Sequence, residues 1–113
     1  QSYEAARLLY LRAGWMKNQG KRNTRETSLA KWFATDESFN AASDAIQVHG
    51  AYGYSDEYNV ERYLRNSKGA VIYEGSNEIH QLIQAGYALD YRGETALRKE
   101  LPAYDAEFWQ DEK

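Results

Sequence analysis

The chain has 113 residues, 14 lysines and arginines against 17 aspartates and glutamates, a net charge of −3, and 42% hydrophobic residues. That balance fits one mildly acidic globular unit and lacks the uniform positive field that nucleic-acid binding needs, while no apolar run approaches the roughly 20 residues that span a bilayer. With no cysteine there is no disulfide, thiolate metal site or thiol nucleophile, and the cytoplasm is the expected setting.

Hydrophobic periodicity is helical almost throughout and nowhere shows the two-residue alternation of a half-buried strand, so the expected class is all-α. The sequence opens at Gln1 inside a helical pattern and holds its one methionine at Met16, so it is expected to be the carboxyl-terminal piece of a longer chain. Tyr3 to Met16 carries Leu8, Leu11 and Trp15 on one face, and "NQGKRNT" then reads as a turn. Asn23 with Glu26, or Thr24 with Thr27, can cap the next segment, in which Leu29, Trp32, Phe33, Phe39, Ala42 and Ile46 recur at near-helical spacing. It is expected to stop near His49, because "GAYGYSDEY" holds two glycines and continues no apolar period. A shorter helix is expected from about Asn59 to Ser67. Beyond the next loop, Ser76 or Asn77 can cap a helix bearing Ile79, Leu82, Ile83, Gly86, Tyr87 and Leu89, ending at Gly93. The division is a helical bundle over 1–93 and a tail over 94–113, with a weak helical pattern before Pro102 and the least order in the chain. Three long amphipathic helices imply an antiparallel bundle with a shared apolar seam, which a fourth helix would close. Ten tyrosines and three tryptophans suit either a core or a surface that meets a partner or cofactor.

"AVIYEGSNEIHQLI", residues 70 to 83, places the carboxylate of Glu74 directly after an apolar run. Locally two readings stand. One is a base in a partly dry pocket, where burial against Val71, Ile72 and Tyr73 disfavours the ionised form. The other is a solvated carboxylate near a helix start, favoured there by the macrodipole. His49 and His80 lack carboxylates at ligand spacing, which argues against a metal site and for packing or surface roles. Glu61 and Arg65 form an ordinary i,i+4 pair.

The ordered blocks "AARLL", "KRNTRETSLAKWFATD", "DAIQVHGAYGY", "VERYLRNSK" and "IYEGSNEIH" resemble the last helices of the acyl-CoA dehydrogenases, from Tyr3 to about Ala88. The resemblance implies the carboxyl-terminal bundle of a flavoprotein subunit, without the bundle's first helix and the flavin-contacting arginine and phenylalanine it carries. It further implies FAD as cofactor, an acyl-CoA substrate, an electron-transfer flavoprotein as acceptor, a homotetramer, and a mitochondrial matrix location if the source is eukaryotic. The isolated segment is expected to be inactive.

The resemblance also assigns roles to residues. Glu74 matches the glutamate that removes the α-proton of an acyl-CoA thioester while the flavin takes the β-hydrogen as hydride, giving a trans-2-enoyl-CoA. The amide N–H of Glu74 would donate to the thioester carbonyl, and Gly75 would let the backbone approach the substrate. Gln47, Gly50 and Gly53 match a turn that meets the adenosine diphosphate part of FAD from an adjacent subunit, with Ala51 in place of a second glycine; a helix C-cap would look the same. Ser76, where threonine is usual, and Glu78 match contacts to the cofactor at a helix N-terminus, where capping alone would give the same residues. Asn66 stands where aspartate is usual. A helical binding module, or an oxidase or monooxygenase of the same fold, is the alternative; a glutamate at position 74 favours dehydrogenation over a scaffold, which needs no base there, and leaves dehydrogenase and oxidase both open.

Overall fold

A computed structural model describes residues 1–92, and all regular structure among them is helical. Five helices follow in order: α1 (Ser2–Asn18), α2 (Thr24–His49), α3 (Ala51–Tyr54), α4 (Val60–Ile72) and α5 (Asn77–Ala88). The expected tail from Glu94, with its pattern before Pro102, lies outside the described residues.

Helix α1 ends where Gly20 takes a left-handed φ of 65°. There the Gly20 N–H donates to the Lys17 carbonyl at 2.9 Å and the Lys21 N–H to the Met16 carbonyl at 3.0 Å, so two carbonyls of the last turn are satisfied. The expected capping box of α2 does not form. Asn23 stands at the N-cap position but makes no capping bond; its amide donates instead to the Ala13 carbonyl at 2.9 Å, tying α2 to α1. Glu26 faces Arg12 across the same pair of helices at 3.9 Å.

Three boundaries differ from expectation. Residues 51–54, read as loop, form α3, because Gly50 turns the chain with a φ of 60° and Gly53 lets the new helix close onto α2. A Cβ at Gly53 would stand 2.7 Å from the Ile46 carbonyl oxygen and 2.9 Å from the His49 Cβ, closer than any side chain could sit. Helix α4 runs past Ser67 to Ile72, so the apolar "AVI" belongs to a helix and not to a loop. Helix α5 ends at Ala88 and not at Gly93: Asp90 adopts a φ of 58°, and the Arg92 N–H folds back to the Gly86 carbonyl at 3.1 Å.

Helix α2 is the spine, touching every other helix. Along it the cross-links run in opposite sequence order: Lys68 lies over the Phe39 ring, Lys31 meets Val71 and Asn77, Ser28 meets His80, and Gln84 meets the Arg25 carbonyl. Helices α4 and α5 are therefore both antiparallel to α2 and succeed one another along it. Their 13 and 12 residues laid end to end match the 26 of α2. They behave as one helix broken at residues 73–76, and the break falls opposite the middle of α2.

The antiparallel helical arrangement is the expected one, but the closed seam is absent from the described residues. Their buried apolar residues are Ala13 and Ala30, and no large side chain is fully buried. The α1 face expected to pack inward is open, with Leu8 62% and Trp15 56% exposed, as is Leu82 of α5 at 66%. The radius of gyration is 18.3 Å, against about 13 Å for a compact 100-residue domain. Large apolar side chains left open in this number favour association in water. Light scattering on the isolated chain is therefore expected to report a mass above the 13.0 kDa of one copy; a monodisperse monomer would contradict it.

Candidate functional site

The break between α4 and α5 is an elbow made by two successive left-handed residues, Glu74 with φ 57° and Gly75 with φ 88°. Gly75 is at home there, but Glu74 is not, since its Cβ meets a neighbouring carbonyl and the conformation costs on the order of 1 kcal/mol. A non-glycine residue persists in this region only where its surroundings hold it.

Those surroundings come from the middle of α2. The Lys31 ammonium donates to the Gly75 carbonyl at 2.8 Å, to Asn77 Oδ1 at 2.7 Å and to the Val71 carbonyl at 3.4 Å. Three donors thus meet three acceptors, one from the last turn of α4, one from the elbow and one from the first residue of α5. Asn77, only 2% exposed, turns its amide nitrogen to Asp36 Oδ1 at 2.7 Å and Thr35 Oγ1 at 2.9 Å. The opposite amide orientation would set NH₂ against an ammonium and oxygen against a carboxylate, so the network fixes the assignment. The Thr35 hydroxyl in turn donates to the Lys31 carbonyl at 2.9 Å. Partial burial pulls the Lys31 ammonium below the ordinary lysine range, while Asp36 and then Glu78 pull it back up.

A second hold is on the elbow itself. His80 Nε2 lies 3.4 Å from the Glu74 carbonyl, and Nδ1 lies 3.0 Å from the Ser28 hydroxyl. The tautomer with Nε2–H donates to the Glu74 carbonyl and takes the Ser28 hydroxyl proton at Nδ1, an acceptor that competes for that one proton with the His80 carbonyl, 3.3 Å from Ser28 Oγ. A Cβ on Gly75 would come within 3.3 Å of His80 Nε2, so the ring also limits what can stand at the elbow.

With its carbonyl held, Glu74 leaves the rest of itself unengaged. Its side chain is exposed, and among the described residues neither its carboxylate nor its amide N–H has a hydrogen-bond partner. The expected burial against its neighbours is not met among the described residues: Ile72 is 60% and Tyr73 59% exposed, where the helix ends at Ile72 and Tyr73 takes an extended backbone.

The other expected site residues divide into two groups. Gly75, Ser76 and Glu78 share the elbow with Glu74. Ser76 takes the N-cap position of α5 with an extended backbone but makes no capping bond. Its hydroxyl first, and the Glu78 backbone N–H second, hold the Glu78 carboxyl below the ordinary glutamate value of 4.5. The charged form is the one favoured, so a carboxyl-carbon NMR titration is expected to place the Glu78 midpoint below 4.5, and Ser76→Ala to raise it; a midpoint unmoved by that substitution would refute the coupling. Gln47, Gly50 and Gly53 lie apart from these, at the far end of α2, about 20 Å along the helix by its 1.5 Å rise per residue. Gln47 is exposed, Gly50 ends α2, and Gly53 is buried against it. The glycines thus have the turn and packing duties that a C-cap reading gives them, whatever else they touch.

Sequence reasoning missed Lys31, Thr35 and Asp36, read Asn77 as a candidate cap, and took His80 for a bystander. The available signal was a lysine set among Ala30, Trp32 and Phe33 on a helix expected to be buried.

What this geometry defines is a helical domain that exposes an unengaged carboxylate and a free amide N–H on a backbone held at a helix break. The acyl-CoA dehydrogenase carboxyl-terminal domain family matches residues 1–89. The chain belongs to the acyl-CoA dehydrogenase family. It is 49% identical over 86 residues to an acyl-CoA dehydrogenase of Bacillus subtilis, covering 76% of this chain and 23% of that protein. It is 49% identical over 82 residues to the cyclohexane-1-carbonyl-CoA dehydrogenase of Geobacter metallireducens, covering 73% and 22%. Among solved structures, the butyryl-CoA dehydrogenase of Megasphaera elsdenii superposes with a TM-score of 0.75 at 40% identity, over 78% of this chain and 23% of that one. The chain thus spans just under a quarter of the length of these relatives.

Proposed function

We propose that this chain is the carboxyl-terminal helical part of an FAD-dependent acyl-CoA dehydrogenase that converts an acyl-CoA thioester to a trans-2-enoyl-CoA. The observation that carries the reading is Glu74: a carboxylate and an amide N–H from one residue, both unengaged, on an elbow held in a left-handed conformation from behind. In this reading the Glu74 carboxylate takes the α-proton, and its amide N–H donates to the thioester carbonyl oxygen as enolate charge develops there. Base and oxyanion donor are fixed relative to each other by sharing a residue. FAD, when bound, supplies the acceptor for the β-hydrogen as hydride.

The chain's own residues are compatible with that cofactor. The N-terminal turn of α5 presents backbone N–H groups beside Ser76, as a polar or anionic group requires. The distance from there to Gln47 and Gly50 suits contacts to separate portions of cofactor, the latter in a neighbouring subunit of a homotetramer. The surface around Glu74, open here, would be dried by the rest of the subunit and by the substrate. An electron-transfer flavoprotein is the proposed acceptor, and residues 94–113 are the proposed tail beyond the bundle.

The test is to express the full-length protein, look for a flavin spectrum, and add a panel of acyl-CoA thioesters anaerobically. Bleaching by one class of thioester supports the assignment. A protein that binds no flavin, or whose flavin no thioester reduces, would reject it in favour of a binding module.

A further inference from the structure

We propose that Lys31 is the positioning residue of the Glu74 elbow: by binding the Val71 and Gly75 carbonyls and Asn77 Oδ1 at once, it sets where the base and the amide donor stand. The inference deepens the reading of Glu74 as base and rests on it. Lys31 touches neither the Glu74 carboxylate nor its N–H. It acts on the backbone either side of Glu74, through bonds of 3.4 Å to Val71 and 2.8 Å to Gly75. Those two carbonyls bracket the residue whose φ of 57° the chain would otherwise abandon.

The charge has a reason to be there. A helix C-terminus carries partial negative charge, and the last turn of α4 points its carbonyls at the elbow. Left alone, those carbonyls would need water; Lys31 supplies an ammonium at one of them and continues to the next element. The third bond, 2.7 Å to Asn77, joins the clamp to a buried amide that Asp36 and Thr35 hold from the same face of α2. A neutral side chain of equal length would fill the space without closing the clamp. Arginine would keep the charge but carry it on a planar fork that cannot meet three acceptors converging on one point.

The geometry assigns a function to a lysine on an otherwise apolar stretch, and it separates two properties. Far from the elbow, α5 is tied to α2 by Gln84 donating to the Arg25 carbonyl at 2.8 Å. Cutting that tie loosens α5 without touching Glu74. Cutting the Lys31 clamp frees the elbow.

The experiment uses the full-length flavoprotein and follows exchange of the α-hydrogens of an acyl-CoA with D₂O under anaerobic conditions. In that exchange the α C–H proton passes to the Glu74 carboxylate and a deuteron returns to carbon, with no net redox change. Four variants are compared with the wild type: Lys31→Met, Lys31→Arg, Gln84→Ala and Glu74→Gln. Expected for Lys31→Met are FAD content and acyl-CoA affinity within about 3-fold of wild type, with exchange and flavin reduction both slowed by about 10-fold to 100-fold, a small misplacement of a catalytic group costing this much. Lys31→Arg, which serves if Lys31→Met does not fold, is expected to slow exchange by at least about 5-fold with FAD retained. Gln84→Ala is expected to lower the melting temperature and leave exchange at the wild-type rate.

Wild-type exchange in whichever Lys31 variant folds would overturn the proposal, as would equal slowing in Gln84→Ala, which would make Lys31 one structural tie among several. Normal exchange in Glu74→Gln would remove the base reading and the proposal with it, whereas an inert Glu74→Gln beside a normal Lys31→Met would remove the positioning role alone.

Discussion

Flavin reduction in the full-length Glu74→Gln variant is expected to slow by about 100-fold to 10,000-fold, the range for loss of a general base, while FAD and acyl-CoA still bind. The substitution preserves side-chain shape and the backbone N–H, and it removes only the proton acceptor. Because the Glu74 carboxylate has no partner among the described residues, no folded contact is lost with it. A melt run beside stopped-flow bleaching should therefore show little change. Were Glu74 merely a carboxylate near the start of α5, the same change would cost about 0.3 to 1 kcal/mol of stability and leave the rate untouched. Reduction at the wild-type rate would place the base elsewhere.

Asn77→Ala is expected to produce the largest loss of stability, about 3 kcal/mol, since truncation strips hydrogen bonds from Lys31 and Asp36 together and such groups cost about 1–3 kcal/mol each when left unsatisfied. Asn77 is the most buried polar side chain of the described residues, 2% exposed, and the only bridge between those two charges. Urea unfolding at matched protein concentration reads the change, because association makes apparent stability concentration-dependent. A loss under about 0.5 kcal/mol, typical of a surface substitution, would mean that Lys31 and Asp36 find water in place of the amide.

The sequence makes the helical class and α2 plain because both are local: a long apolar period, and a glycine at position 50 to end it. The end of α4 is not local. Read by itself, "GAVIY" opens on Gly69 and resembles a loop entering an apolar patch. It stays helical in the presence of Lys31, whose ammonium answers the Val71 carbonyl from 40 positions away in the chain. The same holds for Asn77, which by spacing reads as a helix cap and in the structure points instead into α2. Family motifs reach Glu74, Gly75 and Ser76 because those residues sit in one contiguous stretch. They do not reach the clamp, whose partners are separated by 44 and 46 residues and whose logic is that each hydrogen finds one acceptor.

The broken helix also bears on which lengths of chain this family segment can tolerate. Unless the backbone of positions 73–76 absorbed it, a residue deleted or added there would shift the register of α5 against α2, one α-helical step being about 100° and 1.5 Å. Asn77, His80 and Gln84 would then leave α2 together, and each would be replaced on that face by a neighbour of different shape and hydrogen-bonding capacity. Loop insertions are usually absorbed at little cost, and the 55–59 turn before α4 has no such register to lose. The elbow is different in kind: it is a gear tooth, with phase as well as length, and it locks the reading frame of α5 against α2 to the residue.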